Sequence, residues 1–271
     1  MIKIKMKKTL QIANIIAFLM TVSVNYLGSS GTLNGKTMGD ISDPLKNLFT
    51  PADYAFSIWG FIYLLLLGFV IYQSRSLFTK VRDDAFILNT GWWFTISCLA
   101  NIIWIVLWLY GYIGFSVIAI FVLLFSLLKI VMKNRMELWD APISVIAFLW
   151  WPFVFYSGWV TVASITNVSA YLTGIGWNGF GISEPIWAIL MIIIAGIINL
   201  AVTWKRNMRE FALVGAWALV AIAVSDWDVN RSVSYVAIAV AAILFVSSGY
   251  HGIKNSATSP VNKCKEYFKK T

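Results

Sequence analysis

Three short spacings in this chain group side chains that could hold a ligand. Trp59 and Tyr63 stand four residues apart, with Phe56 and Leu67 extending their row. Asn101 and Trp104 stand three apart, and Trp108 continues that row. Trp159, Ala163 and Asn167 follow at intervals of four. Spacings of three and four put each set on one face of a helix. Indole and phenol rings offer flat apolar walls with one polar handle each, and carboxamides add directed donors and acceptors. Such sets suit non-covalent binding of an amphipathic molecule. Covalent catalysis is poorly served. The single histidine, His251, stands alone at the end of an apolar segment, and Cys98 and Cys264 fall in separate segments. One histidine cannot serve a Ser-His-Asp or Cys-His arrangement. The sequence points to no catalytic residue, no metal-ligand spacing, no disulfide and no cofactor motif. His251 reads as a solvated interfacial residue.

The elements that carry these rows are apolar segments nearly free of charge. Hydrophobic residues make up 59% of the 271 and charged residues 12%. A helix of about 20 apolar residues spans a ~30 Å hydrocarbon core. About eight such stretches occur, near 9–27, 53–73, 86–109, 112–132, 141–170, 184–204, 210–225 and 233–250. The expected fold is therefore an all-α, polytopic transmembrane bundle. Glu210 and Asp226 make the seventh span short, so neighbours must shield its ends or the bilayer must thin there. Pro152 lies inside the fifth span and removes a backbone donor, which predicts a kink.

A net charge of +9 finds its explanation in topology, and no nucleic-acid partner is expected. With eight spans, 18 of the 21 Lys and Arg fall on one side, and only Lys36, Lys46 and Arg231 on the other. That bias predicts cytoplasmic termini and an integral protein of the cell membrane. The outer face then carries −3 and the inner face +12, a sign suited to an anionic inner leaflet. Lys7 and its neighbours followed by an apolar run resemble a signal peptide. No small-x-small site follows, so an uncleaved first span is expected.

The same topology puts Trp59, Tyr63, Asn101, Trp104, Trp159 and Asn167 in the outer half of the bilayer. There they could wall a pocket. The competing reading is ordinary: Trp and Tyr gather at membrane interfaces, and Asn167 could simply hydrogen-bond a neighbouring helix. No Asp, Glu, Lys or Arg falls well inside a span, which argues against a proton or ion pathway. The Gly-rich outer segment 171–183 reads as a junction. It separates a five-helix domain, 1–178, from a three-helix extension with a basic tail, 179–271.

These residues resemble the tryptophan-rich sensory protein family, also called translocator or peripheral-type benzodiazepine receptor proteins. The resemblance covers about residues 9–178. Trp59-Gly-Phe-Ile-Tyr63 after Pro51 is similar to the opening of that family's second helix. Ala100-Asn101-Ile-Ile-Trp104 is similar to its third-helix motif, and the Trp159, Ala163, Asn167 spacing to its fifth. Departures are Thr50 in place of the first proline of a pair, Asp53 beside Tyr54 in place of a loop tryptophan, and the displaced Pro152. The resemblance implies a five-helix bundle whose loop caps a pocket for a porphyrin-, sterol- or carotenoid-like ligand. Trp59, Tyr63, Asn101, Trp104, Trp159, Ala163 and Asn167 would line it. Lys36 and Lys46, in the outer loop, would meet the carboxylates of an anionic porphyrin. The expected function is binding and sensing of a hydrophobic planar or polycyclic molecule. A small-molecule permease is the alternative, and a tetrapyrrole-degrading enzyme a third reading. The expected partners are that ligand and the lipid bilayer, with a homodimer left open.

Overall fold

The structure is a computed structural model that describes residues 2–81, 83–256 and 260–270. Arg82, one of the basic residues in the charge count, lies outside the described residues, as do the side chains of Lys3, Glu266, Lys269 and Lys270. The described secondary structure is helical throughout. Its long elements are α1 (Ile2–Ser29), α2 (Ile58–Phe78), α3 (Trp93–Leu109), α4 (Ile113–Lys133), α5 (Trp151–Gly174), α6 (Glu184–Arg206), α7 (Arg209–Ser225), α8 (Arg231–Lys254) and α9 (Pro260–Lys270). Helices α1 to α8 match the eight expected spans in order. Six are long and apolar enough to cross a bilayer, among them the segments Asp53–Phe78 and Ile143–Gly174. Helices α3 and α7 have 17 residues each, roughly 25 Å. The protein is an integral membrane protein of the polytopic helical class.

Two local departures have clear causes. The expected third span is broken because Gly91 adopts φ 55° and ψ −140°, which ends a short helix at Thr90. Only glycine enters that region without a Cβ penalty. In the fifth span a π-helical turn, Ile146–Trp150, stands directly before Trp151 and Pro152. A π turn shifts the hydrogen-bond register by one residue, and so accommodates the donor that proline lacks.

The chain forms two compact units. The first comprises Met1–Ile41, Gly60–Met136 and Ser144–Ser157; the second comprises Ser42–Trp59, Glu137–Ile143 and Gly158–Thr271. In the first unit, Phe69, Phe94 and Phe153 are fully buried, with ring centroids 4.8–5.8 Å apart in edge-on contact. A carboxamide network ties its helices. Asn14 Nδ2 donates to Gln73 Oε1 (3.0 Å), Thr95 Oγ1 donates to Asn14 Oδ1 (2.9 Å), and Gln11 Nε2 donates to Ser76 Oγ (2.9 Å). Such interhelical bonds typically contribute about 0.6 to 2 kcal/mol in a bilayer.

In the second unit, α7 is the central helix. Its Ala212, Ala216, Leu219 and Ile222 pack against Ile192 of α6 and Ala237 and Leu244 of α8. Small residues allow the close approach. A Cβ on Gly196 would come within 2.6 Å of Val240, and one on Gly215 within 2.5 Å of Asn199. Both polar ends of this short helix are shielded: Arg209 is 7% and Asp226 4% exposed. The end of the long loop belongs to the same core. Leu48 and Phe49 are buried. Leu48 N donates to Glu184 Oε1 (2.9 Å), and Ala52 N donates to Ala221 O (3.0 Å).

Candidate functional site

In the second unit, Trp159 is the most deeply buried of the expected site residues, at 1% exposure. Helix α5 carries it, and the first turn of α2 with the short turn before it supplies its neighbours. Phe56 meets it edge-on at 6.0 Å and Trp59 at 6.3 Å, both at 87°. That is the arrangement aromatic quadrupoles favour. The Trp159 Nε1–H is buried without a hydrogen-bond partner. An orphaned donor of this kind costs about 1–3 kcal/mol. Asn167, two turns further along α5, is 2% exposed, and Ala163 between them is half-buried.

In the first unit, Asn101 is fully buried and engaged on both sides. Its Oδ1 accepts from Asn25 Nδ2 (2.7 Å), and its Nδ2 donates to Tyr156 Oη (3.0 Å). Tyr63 belongs to the same cluster. Trp104 stacks obliquely on Trp108 (6.3 Å, 35°), whose Nε1 donates to Met38 O (3.2 Å). The first half of the long loop is thereby held to the end of α3, where Asn34 Nδ2 also donates to Leu109 O (2.8 Å). Lys36 is exposed on that half.

The second unit also contains a cavity of about 430 Å³ that the spacings did not reveal. The loop residues Leu48 and Phe49, the α5 residues Ile165 and Leu172, and Trp177 and Trp187 contribute to its wall. At 3.6 residues per turn, Ile165, Val168 and Leu172 fall on the side of α5 roughly opposite Trp159, Ala163 and Asn167. Trp177 and Trp187 lie 5.3 Å apart, and Trp187 Nε1 donates to Gly179 O (2.8 Å). Lys46 and Glu184 stand at the wall as well. Lys46 Nζ pairs with Asp43 Oδ1 at 2.8 Å. The one available signal was the apolar pair Leu48-Phe49 inside an otherwise polar loop. Trp177 falls in the Gly-rich segment 171–183, whose composition reads as a junction.

Three charged or titratable positions near helix ends are buried. Asp226 lies just beyond α7; burial, and then the charge of Glu184, push its carboxyl up to about 7. At the opposite end of the unit, Glu137 is 6% exposed. Burial first, then the charge of Glu210, hold its carboxyl well above the usual range, against the pull of Arg209. Asn207, in the left-handed conformation that closes α6, donates to Glu137 O (3.0 Å). His251 is 4% exposed, which corrects the solvated reading. Trp204 covers its ring edge-on at 4.9 Å, and Asn255 contacts its nitrogens.

The sequence model of the TSPO-like protein family matches residues 11–250, and the chain belongs to that family. The match runs beyond residue 178 and over α6, α7 and most of α8, which the motif resemblance had left outside. No curated protein and no solved structure gives a significant match.

Proposed function

We propose that this protein binds a hydrophobic, planar or polycyclic small molecule at the Trp59–Trp159 face of the second unit, and that binding serves sensing or ligand handling. The observation that carries the reading is the buried, unpartnered indole N–H of Trp159 between two edge-on rings. The side is filled in the ligand-free chain, so a polycyclic ligand with an acceptor on its edge would displace Phe56 or Trp59 from Trp159, stack in the space so opened and satisfy the donor. Family membership supports a membrane binding protein in the broad sense. The test is Trp159→Phe, which keeps a ring and removes the N–H. In the purified chain it should weaken a saturable porphyrin or sterol probe by roughly 5- to 150-fold, as a lost buried hydrogen bond of about 1–3 kcal/mol implies. Trp59→Ala should weaken it too, and Trp204→Ala, which is 45% exposed, should not. Equal affinity in all three variants would return these tryptophans to ordinary packing.

The charge bias supports the cell membrane with both termini cytoplasmic. In a background lacking Cys98 and Cys264, Lys36→Cys should react with an impermeant thiol reagent on intact cells, and Lys254→Cys should not. Labelling at 254 without permeabilisation would reverse the orientation.

A further inference from the structure

We propose that the 430 Å³ cavity of the second unit is a separate ligand site that takes an amphipathic cation, with its ammonium head between Glu184 and the Trp177–Trp187 pair. The inference is independent of the Trp159 reading, since the two sites use opposite sides of α5. Three observations give the ligand its chemistry. The first is size: about 430 Å³ lies in the range of small-molecule pockets. Its wall from Ile165, Leu172 and Met191 suits an alkyl or aryl body. The second is the aromatic pair. Indole faces attract ammonium groups through the ring quadrupole, and tryptophan does so best. The bond from Trp187 Nε1 to Gly179 O holds one of these rings in place.

The third observation is charge. Lys46 is the basic residue at the wall, and Asp43 already neutralises it at 2.8 Å. Glu184 has no such cationic partner among the described ion pairs. It accepts one backbone N–H, from Leu48, through Oε1. The local balance is therefore one neutralised pair and one further carboxylate, Glu184. An ammonium complements that balance, and a carboxylate or phosphate opposes it.

The experiment uses the full chain in phosphatidylglycerol nanodiscs and isothermal titration. The probes are phenylbutyltrimethylammonium, its neutral tert-butyl isostere and phenylbutylphosphonate. The ammonium should bind saturably, roughly threefold to tenfold more tightly than the isostere. Glu184→Gln should erase that preference and leave the isostere unchanged, because the amide oxygen still accepts from Leu48 N. Trp187→Ala should weaken both. Equal affinity for ammonium and isostere, tightest binding of the phosphonate, or Trp187→Ala leaving all probes unchanged would each overturn the proposal, as would no saturable binding of any probe. Repetition in phosphatidylcholine nanodiscs identifies the source of the ammonium. A weaker apparent affinity there supports a lipid headgroup as the occupant, and an unchanged one supports a soluble amine.

Discussion

The two sides of α5 within the second unit do opposite things with similar residues. On one side Trp159 is packed edge-on by Phe56 and Trp59, with nothing polar to meet its N–H. On the other, Ile165 and Leu172 border open space under a rim of Trp177, Trp187 and Glu184. Both sides are rich in aromatic and branched side chains. They differ in whether neighbouring elements fill the volume. The filled side contributes cohesion and one unsatisfied donor; the open side leaves volume with a charged rim. An open site is built by the backbone around it, here the turn at Gly179 and the loop pinned through Leu48 N.

The largest expected effect breaks this comparison most directly. Trp159→Ala removes a fully buried ring and should cost about 3–5 kcal/mol. Leu172→Ala, on the half-open side, leaves little new void and should cost about 1 kcal/mol. Thermal unfolding of both variants in one detergent checks the contrast. Comparable losses would mean that the cavity wall is as tightly packed as the Trp159 side.

Those two sides also show how much the sequence can carry. Hydropathy located α1 to α8 in order, because bilayer thickness fixes segment length and the cost of charge fixes segment ends; the polar tail helix α9 gave no such signal. Spacing located Trp159 and Asn167 on one buried side of α5, because helical period is local. The cavity was not legible, since a void depends on residues 120 positions apart, such as Leu48 and Val168, failing to meet. The same limit hid the burial of Glu137 and His251, whereas shielding at Asp226 was one of two outcomes that the shortness of the seventh span allowed. Each lies at a helix end or in a short connection, where a sequence suggests water. Shielding by Trp204 at His251, or by the loop core around Leu48 and Phe49, is a tertiary fact. The break at Gly91 was hidden as well, because an isolated glycine within an apolar run does not declare a positive φ.

An intermediate effect concerns pH, and sharpens the open side. The Asp226 carboxyl is raised from 3.8 to about 7, first by burial and then by Glu184. A raised folded-state value means that the protonated form is favoured on folding. The associated stability is full below about pH 4 and is lost as pH rises through about 7. Asp226→Asn should flatten that window and raise the melting temperature at pH 8 relative to the parent, with little change near pH 4. Glu137, also held upward by burial and by Glu210, contributes in the same sense at the other end of the unit. The double variant with Glu137→Gln should therefore be flatter still. An Asp226→Asn variant that keeps the parent's slope would mean Asp226 is solvated.

The smallest effect separates the two sides by charge. Lys46 and Asp43 are 51% and 60% exposed at their side chains, and such a pair contributes at most about 1 kcal/mol. Lys46→Gln should therefore leave stability nearly unchanged. Its consequence is for ligands. Freed from Lys46, Asp43 adds a negative charge near the cavity, so an ammonium probe there should gain about twofold at low salt and nothing at high salt. A neutral polycycle bound at Trp159 should not respond. The competing expectation, that Lys46 together with Lys36 compensates a dicarboxylate porphyrin, makes the opposite claim. On that expectation Lys46→Gln weakens an anionic porphyrin and spares a neutral ligand of similar size. Titration of porphyrin, sterol and ammonium probes against the one variant at two salt concentrations decides between them. A salt-dependent loss confined to the porphyrin would assign Lys46 to the anionic ligand and remove the charge argument for a cation in the cavity.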